Sequence, residues 1–459
     1  METKSWIKLD NASNIFLAAR NQIDTKVYRM TVEMSETVNP VVLQDALNRT
    51  YEEYPLFHSV LRRGVFWYYL EKSEFNPRVQ PETIPPVTDI YKSGEKNFMF
   101  RVMYNENRIH LEVFHALTDG TGALWFFEDL ITEYVRLGYV YGEIKNLNGS
   151  KREKSDLEDS FKTYFKEKQK VTQFARFMRP FRELYQELKT EDYSSPNLSE
   201  IKIDKKIYQV RGTKTPDFRP RIILLQLPIK EILALARAEG FSLTIYLTAV
   251  YILATYLDKE SIEDSEDTTI SVSIPINLRQ FFPSETVRNF FSTTSVDYTF
   301  KANEEVDFHE ICERIDQQFK AQLEKEALEN RLKQHIAFEF HPGARILPRP
   351  VKDFVLKMYN KLNNRKITLA MSNLGMFHLP EEVMDYVEDF YFYTSVIRPQ
   401  FCVNSYKNHL NICFTSPFSE TSIFSQFVQF FTEKGIEVIV DSNKVTREEL
   451  SVDEGMSKL

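Results

Sequence analysis

Cysteine is nearly missing from this 459-residue chain: Cys312, Cys402 and Cys413 are an odd set with no CxxC spacing. That gives no disulfide framework and no cysteine-based zinc site, and it fits a reducing cytoplasm. Glycine is scarce too, at 13 residues, and neither a GxGxxG fingerprint nor a Walker-type phosphate loop occurs. Nucleotide binding on a glycine-rich loop is therefore not expected. Positive charge is in deficit, with 58 Lys and Arg against 66 Asp and Glu and a formal charge of −8. No general nucleic-acid surface follows from that balance. Long hydrophobic runs are absent as well: the most apolar stretch, residues 243–257, is too short to span a bilayer and follows Ser242, a good N-cap. It reads as a buried helix. The opening Met-Glu-Thr-Lys-Ser-Trp lacks the apolar core of a signal peptide. The expectation is a cytoplasmic protein with no transmembrane segment.

What is present is the composition of a globular protein, 42% hydrophobic and 27% charged. The length exceeds one ordinary core, so two domains are expected. Proline opens an amphipathic helix over 40–54, with Val42, Leu43, Ala46, Leu47 and Tyr51 at helical spacing. Strands are expected at 57–61 and 65–70, followed by a hairpin of 98–104 and 108–114 joined at Asn105-Glu106-Asn107. A charged, helix-prone run over 151–188 ends in Tyr193-Ser194-Ser195-Pro196-Asn197, and polar sequence continues to Pro220. We divide the chain into an N-terminal unit, 1–195, a crossover linker, 196–220, and a C-terminal unit, 221–459. The second unit again mixes strands (221–227, 268–276, 367–373, 386–396, 410–415, 436–440) with helices (228–238, 243–257, 306–338, 422–434). Both halves are α/β.

The chemistry-bearing string is His115-Ala116-Leu117-Thr118-Asp119-Gly120, an HxxxDG pattern. It lies between the 108–114 strand and a helix over 123–137, with Thr121 available as N-cap. An imidazole at a strand end can take a proton near neutral pH. Blander readings exist: Asp-Gly is a common turn, and HxxxDG arises by chance in a chain this long at a rate on the order of a few per cent. His115 and Asp119, at i and i+4, could instead be two metal ligands, but no further ligand cluster accompanies them. The other histidines (His58, His110, His309, His335, His341, His378 and His409) have no comparable setting, and His110 reads as structural.

Two later segments keep the motif company. Val272-Ser273-Ile274-Pro275-Ile276-Asn277-Leu278-Arg279 ends an apolar run in an arginine and is followed by Asn289-Phe290-Phe291; Ala370-Met371-Ser372-Asn373-Leu374-Gly375 puts a hydroxyl and an amide at another strand end. With His115 to Gly120 they resemble the CoA-dependent acyltransferase superfamily, which includes chloramphenicol acetyltransferase, the BAHD enzymes and peptide-synthetase condensation domains. The likeness is greatest to bacterial alcohol acetyltransferase-like proteins. Residues 8–16, Lys-Leu-Asp-Asn-Ala-Ser-Asn-Ile-Phe, look like their N-terminal signature, although Leu17 replaces an expected proline, and Tyr54-Pro55-Leu56-Phe57 resembles their helix-to-strand passage. Many relatives carry two consecutive histidines where this chain has Phe114-His115.

The resemblance implies two chloramphenicol acetyltransferase-like α/β subdomains, each a mixed β-sheet with helices, forming a pseudo-dimer with a channel between them. It implies His115 as general base for direct attack of a hydroxyl on an acyl thioester. Asp119 would turn away from the base to pair with Arg279, and Gly120 would permit the turn and leave room for substrate. Ser372 or Asn373 would supply the oxyanion donor, with Asn289 as the alternative. Acyl-CoA, acetyl or short-chain, would be co-substrate with a small alcohol as acceptor, no cofactor permanently bound and the protein a monomer. Lys352, Lys357, Lys361, Arg365 and Lys366 could form a basic rim for the donor's phosphates. A condensation-type enzyme using a carrier-protein thioester, and a catalytically idle binding module, are the alternatives.

Overall fold

The computed structural model describes residues 6–92, 94–139, 158–165, 206–260, 266–340 and 348–450, the side chains of Asn11, Glu260 and 334–340 excepted. Most of the 151–188 run, the 193–197 stretch and the first part of the linker lie outside the described residues. Two sheets dominate the rest. The first has five strands, in the order Val387–Thr394, Val27–Met34, Arg108–Phe114, Phe100–Asn105, Gln80–Pro81. The second has seven, in the order Phe291–Phe300, Thr268–Asn277, Leu369–Met376, Gln400–Tyr406, His409–Ser416, Arg221–Pro228, Ile439–Ser442. A small sheet of Trp6–Lys8, Tyr68–Lys72 and Ser59–Arg63 stands beside them.

The local chemistry explains the first half. The hairpin pairs Asn105 with Arg108, so its loop is Glu106-Asn107, with Glu106 at φ 50°. Asn39 caps the helix Pro40–Glu53, accepting from the Val41 and Val42 amides. That helix packs on the helix Gly120–Gly138, which buries Ala123, Phe126, Phe127, Leu130, Ile131 and Tyr134. The expected cap Thr121 is not the one used: Asp119 accepts from Gly122 N at 3.0 Å and starts the helix two residues earlier. The strand expected from residue 57 begins at Ser59, after a 3-10 turn over Pro55–His58.

In the second half Ser242 Oγ accepts from Ile245 N at 3.3 Å at the start of Leu243–Glu260, as its N-cap reading requires. The single long helix expected over 306–338 is two, Phe308–Leu323 and Lys325–Phe340, broken at an extended Glu324. The reason is that they serve different cores: Ile311, Cys312 and Ile315 join the main second core, while Leu328 and Leu332 pack with Phe161, Phe282 and Phe290. Linker residues 206–220 are bonded to the second sheet region through Tyr208 N to Thr269 O (2.8 Å) and Thr215 N to Pro417 O (3.1 Å).

One strand crosses the division. Val387–Thr394, from the C-terminal half, pairs antiparallel with Val27–Met34 in the first sheet. Its attachment to the second sheet is polar and buried. Asp389 accepts from Asn411 Nδ2 at 2.6 Å and from the Gln226 amide, while Phe390 O accepts from Asn404 and Asn411 at 2.6 and 2.8 Å. Burial raises the Asp389 pKa above the usual carboxylate value, and these amide donors oppose the rise. Removing the carboxylate would leave the half-buried Gln226 amide without this acceptor and the buried Asn411 amide with Phe390 O alone. Asp389→Ala should therefore lower stability by about 2–4 kcal/mol in denaturant unfolding, and Asp389→Asn by less, because it keeps an acceptor.

Candidate active site

His115 follows directly on the strand Arg108–Phe114, and its own amide extends the pairing by donating to Lys26 O at 2.8 Å. The chain then turns, Leu117 N to Phe114 O at 2.9 Å, into the Asp119-capped helix. The imidazole lies among rings: Phe16 stacks on it at 4.0 Å between centroids, Tyr28 meets it edge-on at 5.0 Å, and Phe291 tilts against it at 5.5 Å. Nδ1 is buried without a well-formed hydrogen bond, the residue's own backbone being near enough only to favour a proton there. Nε2 is thus the nitrogen left to the cavity that His115 lines. Desolvation dominates its titration, pulling the pKa down to about 4, with Asp119 opposing and Lys26 adding to the fall.

Asp119 does not engage the His115 ring. Its Oδ1 caps the helix, and its Oδ2 accepts from Arg279 Nη1 and from Phe290 N, each at 2.8 Å. Both partners of the ion pair are buried, at 7% and 5% side-chain exposure for Arg279 and Asp119. Arg279 Nη2 donates to Thr286 O and Arg288 O at 2.8 and 2.7 Å, so one guanidinium fastens the whole 279–290 turn to the motif. The expected pairing of Asp119 with Arg279 is what the geometry shows.

Asn289 lies elsewhere than an oxyanion donor would. It is buried behind the base, its Nδ2 donating to His115 O (3.1 Å) and Ser13 Oγ (3.2 Å), and it does not line the cavity. Its place is that of a positioning residue. Ser372 and Asn373 do line the cavity. Asn373 Nδ2 is directed to Thr244 Oγ1 at 3.2 Å, whereas the Ser372 hydroxyl has no hydrogen-bond partner among the described residues. Gly120 faces Leu374, whose side chain a Cβ would meet at 2.7 Å.

Several contributors had no role assigned from sequence. Residues 8–16, noted only as a family-like signature, hold Phe16 against the His115 ring: Asp10 caps the helix Asn11–Ala19, and Ser13 Oγ bridges Asp10 Oδ1 and Ala116 O, both at 2.8 Å. Burial raises the Asp10 pKa to about 6, against the pull of Arg288. Gly122 has no space at all, since a Cβ would lie 2.4 Å from Val287 O and 2.2 Å from Thr118 Oγ1. Its only sequence signal was a second glycine two residues after the first. Tyr28, Asp24, Lys26 and Arg398 also line the cavity, and nothing in their local sequence marked them.

The cavity, about 290 Å³, runs between residues of both halves, with the 115–121 turn on one side and residues of the strands Thr268–Asn277, Phe291–Phe300 and Leu369–Met376 on another. Of the expected basic rim, Lys357, Lys361 and Lys366 are exposed around the end of the helix Arg349–Asn364, whose Asn364 reaches the cavity. Lys352 is not part of it: buried, it sits 3.3 Å over the Trp67 ring and donates to Phe66 O.

The alcohol acetyltransferase family matches residues 93–434. The chain belongs to that family. It is thereby an acyltransferase of the CoA-dependent superfamily. No curated relative is matched. Solved structures with a similar fold include a trichothecene 15-O-acetyltransferase from Fusarium sporotrichioides (TM-score 0.62, 12% identity, covering 94% of this chain and 96% of that one). Polyketide synthase associated protein 5 from Mycobacterium tuberculosis gives TM-score 0.55 at 14% identity over 92% and 96%. The first condensation domain of the calcium-dependent antibiotic synthetase gives 0.57 at 13% over 94% and 97%. At such identities these likenesses speak to fold alone: two chloramphenicol acetyltransferase-like subdomains with mixed sheets. Among the described residues no single helix is long and apolar enough to cross a membrane.

Arg279→Ala should cost about 3–5 kcal/mol in denaturant unfolding, because it leaves Asp119 buried and unpaired. Gly122→Ala, which forces a collision with backbone, should cost about 1–3 kcal/mol or more.

Proposed function

We propose that the protein transfers an acyl group, acetyl or another short chain, from CoA to a hydroxyl, with His115 as general base. The reading further takes it as a monomer of the cytoplasm, where the buried thiols Cys312, Cys402 and Cys413 stay reduced. The observation that carries the proposal is the imidazole itself: half-buried, its Nδ1 shut away and its Nε2 left to the cavity, with an unengaged Ser372 hydroxyl on the same cavity's lining.

The mechanism then needs few parts. Nε2 takes the proton of the acceptor hydroxyl as its oxygen attacks the thioester carbonyl, so no acyl-enzyme forms. Ser372 donates to the developing oxyanion, a contribution of about 2.7–4 kcal/mol at comparable sites. Collapse of the tetrahedral intermediate expels the CoA thiolate, which recovers the proton from His115. Phe16, Tyr28 and Phe291 keep water from the ring and hold its plane. Asp119, Arg279, Gly120 and Asn289 act on the imidazole through the backbone that carries it.

Incubation with acetyl-CoA and a panel of alcohols, followed by thiol release, tests the reading. His115→Ala should lower kcat by about 10²–10⁴-fold with little change in the KM for acetyl-CoA; unchanged turnover would sink the base assignment. The pH dependence has a definite sign. His115 works only when neutral, and with its pKa near 4 kcat/KM should stay level from neutrality down to about pH 5 and fall only below that. A limb near pH 6.5 in the free enzyme contradicts this. Stability shifts in the same sense: an unfolded histidine takes up its proton near pH 6.5, so the folded state loses stability as pH falls from 6.5 toward 4.

A further inference from the structure

One wall of the cavity is made by residues 24–28 of the first half and 392–398 of the second. They are tied to each other and to the base. Ser395 N donates to Val27 O at 2.9 Å, Ser395 Oγ reaches Asp24 Oδ1 at 3.3 Å, and the preceding carbonyl, Lys26 O, accepts from His115 N. Lys26 holds φ 59°, a left-handed conformation a lysine adopts at a cost and here keeps with its carbonyl on the His115 amide.

The charges on this wall do not balance. Lys26 Nζ and Asp24 Oδ2 lie 2.5 Å apart and neutralise each other. Arg398, half-buried and lining the cavity, makes no hydrogen bond or ion pair with the described residues. The opposing charge it feels is Asp24, which is already engaged by Lys26 and Ser395. Burial outweighs that attraction and pulls the arginine down to about 10. A partly desolvated guanidinium without a counter-ion is costly, and its planar fork of donors matches a carboxylate or phosphate in two-point contact. Gln400 and Asn364 line the same cavity and could complete the set.

We propose that Arg398 is a specificity-determining residue that binds an anionic group on the acceptor, so that the acceptor is a hydroxy compound carrying a carboxylate or phosphate. The proposal rests on the acyl-transfer reading above. Position favours the acceptor over the donor. Arg398 is three residues from Ser395, at most about 10 Å between Cα atoms, and Ser395 is bonded to the residue next to the one that holds the His115 amide. Both side chains line the same cavity, so an acceptor lying between them can meet the guanidinium with its anion and the imidazole with its hydroxyl. The donor's phosphates trail its sulfur by the pantetheine arm and belong at the mouth, where Lys361 and Lys366 are exposed.

The test compares lactate, glycerol phosphate and neutral propylene glycol as acceptors at saturating acetyl-CoA, with wild type, Arg398→Gln and Arg398→Lys. Wild type should favour an anionic acceptor, and Arg398→Gln should raise its KM by about 10–100-fold, one to two decades of affinity. The KM for acetyl-CoA and turnover of propylene glycol should stay within about twofold in the variant, with Arg398→Lys intermediate. Equal losses with charged and neutral acceptors, or a raised KM for acetyl-CoA alone, would overturn it. Calorimetric titration of lactate and glycerol phosphate into each protein separates the two readings. Arg398-dependent binding without turnover keeps the anion site and rejects the acyl transfer; turnover with Arg398-independent binding does the reverse. Equal melting temperatures of the variants guard against simple misfolding.

Discussion

The ion pair between Asp119 and Arg279 is the constraint on which the rest of the site depends. One carboxylate closes three obligations at once: it caps the helix Gly120–Gly138, accepts the Phe290 amide and neutralises a buried guanidinium. Because Arg279 also grips the Thr286 and Arg288 carbonyls, the pair joins a turn from the first sheet to a turn following the second. Thr118 Oγ1 to Val287 O and Asn289 Nδ2 to His115 O run across the same seam. His115 is consequently held by residues more than 150 positions away in sequence. A cavity between two halves can keep its geometry only if the halves cannot slide, and this seam helps to prevent it. The buried amide cluster around Asp389 is another such link, and the bonds of Ser395 to Val27 and Asp24 are a third.

The sequence exposed some of this and hid the rest for physical reasons. His115, Asp119 and Gly120 were legible because a strand, a turn and a helix each leave a local pattern, and Arg279 was legible through family likeness. The strand Gln400–Tyr406 was not read, since it is buried on both faces and shows no two-residue alternation; Val27–Met34 does alternate, Met30, Val32 and Met34 against Arg29, Thr31 and Glu33, and was legible but passed over. Phe291–Phe300 was missed because Ser292 and Thr294 occupy inward positions that an apolar pattern would need. The exchange of Val387–Thr394 into the first sheet is a tertiary decision with no local trace. Thr121 looked like a cap because a hydroxyl before an apolar helix usually is one; Asp119, two residues earlier, outcompeted it with a charge aligned to the helix N-terminus.

Electrostatics gives the seam a second consequence. If Asp119 were free to face the imidazole, a carboxylate at that distance would favour the protonated ring. Spending its charge on Arg279, and spending Asp24 on Lys26, leaves His115 in surroundings close to neutral, where desolvation decides and the ring stays unprotonated. The neutral state that the proposed base needs thus comes chiefly from desolvation, with no well-formed hydrogen bond at Nδ1.

In the proposed reaction an imidazole so reluctant to hold a proton is a weak base, and general base catalysis is most effective when the pKa lies near the working pH. The proposed substrates would raise that pKa. An acyl-CoA brings several negative charges to its mouth, and an anionic acceptor would bring another to Arg398; each favours the imidazolium that forms as the hydroxyl loses its proton. Residues that keep the free ring neutral thus leave its basicity to be set by what binds, so that proton transfer becomes favourable only when both substrates are in place. On that logic desolvation keeps the free His115 ring neutral, and in the proposed reaction it is the charge of the bound substrates that raises its basicity, Arg398 serving to bring one of those charges in.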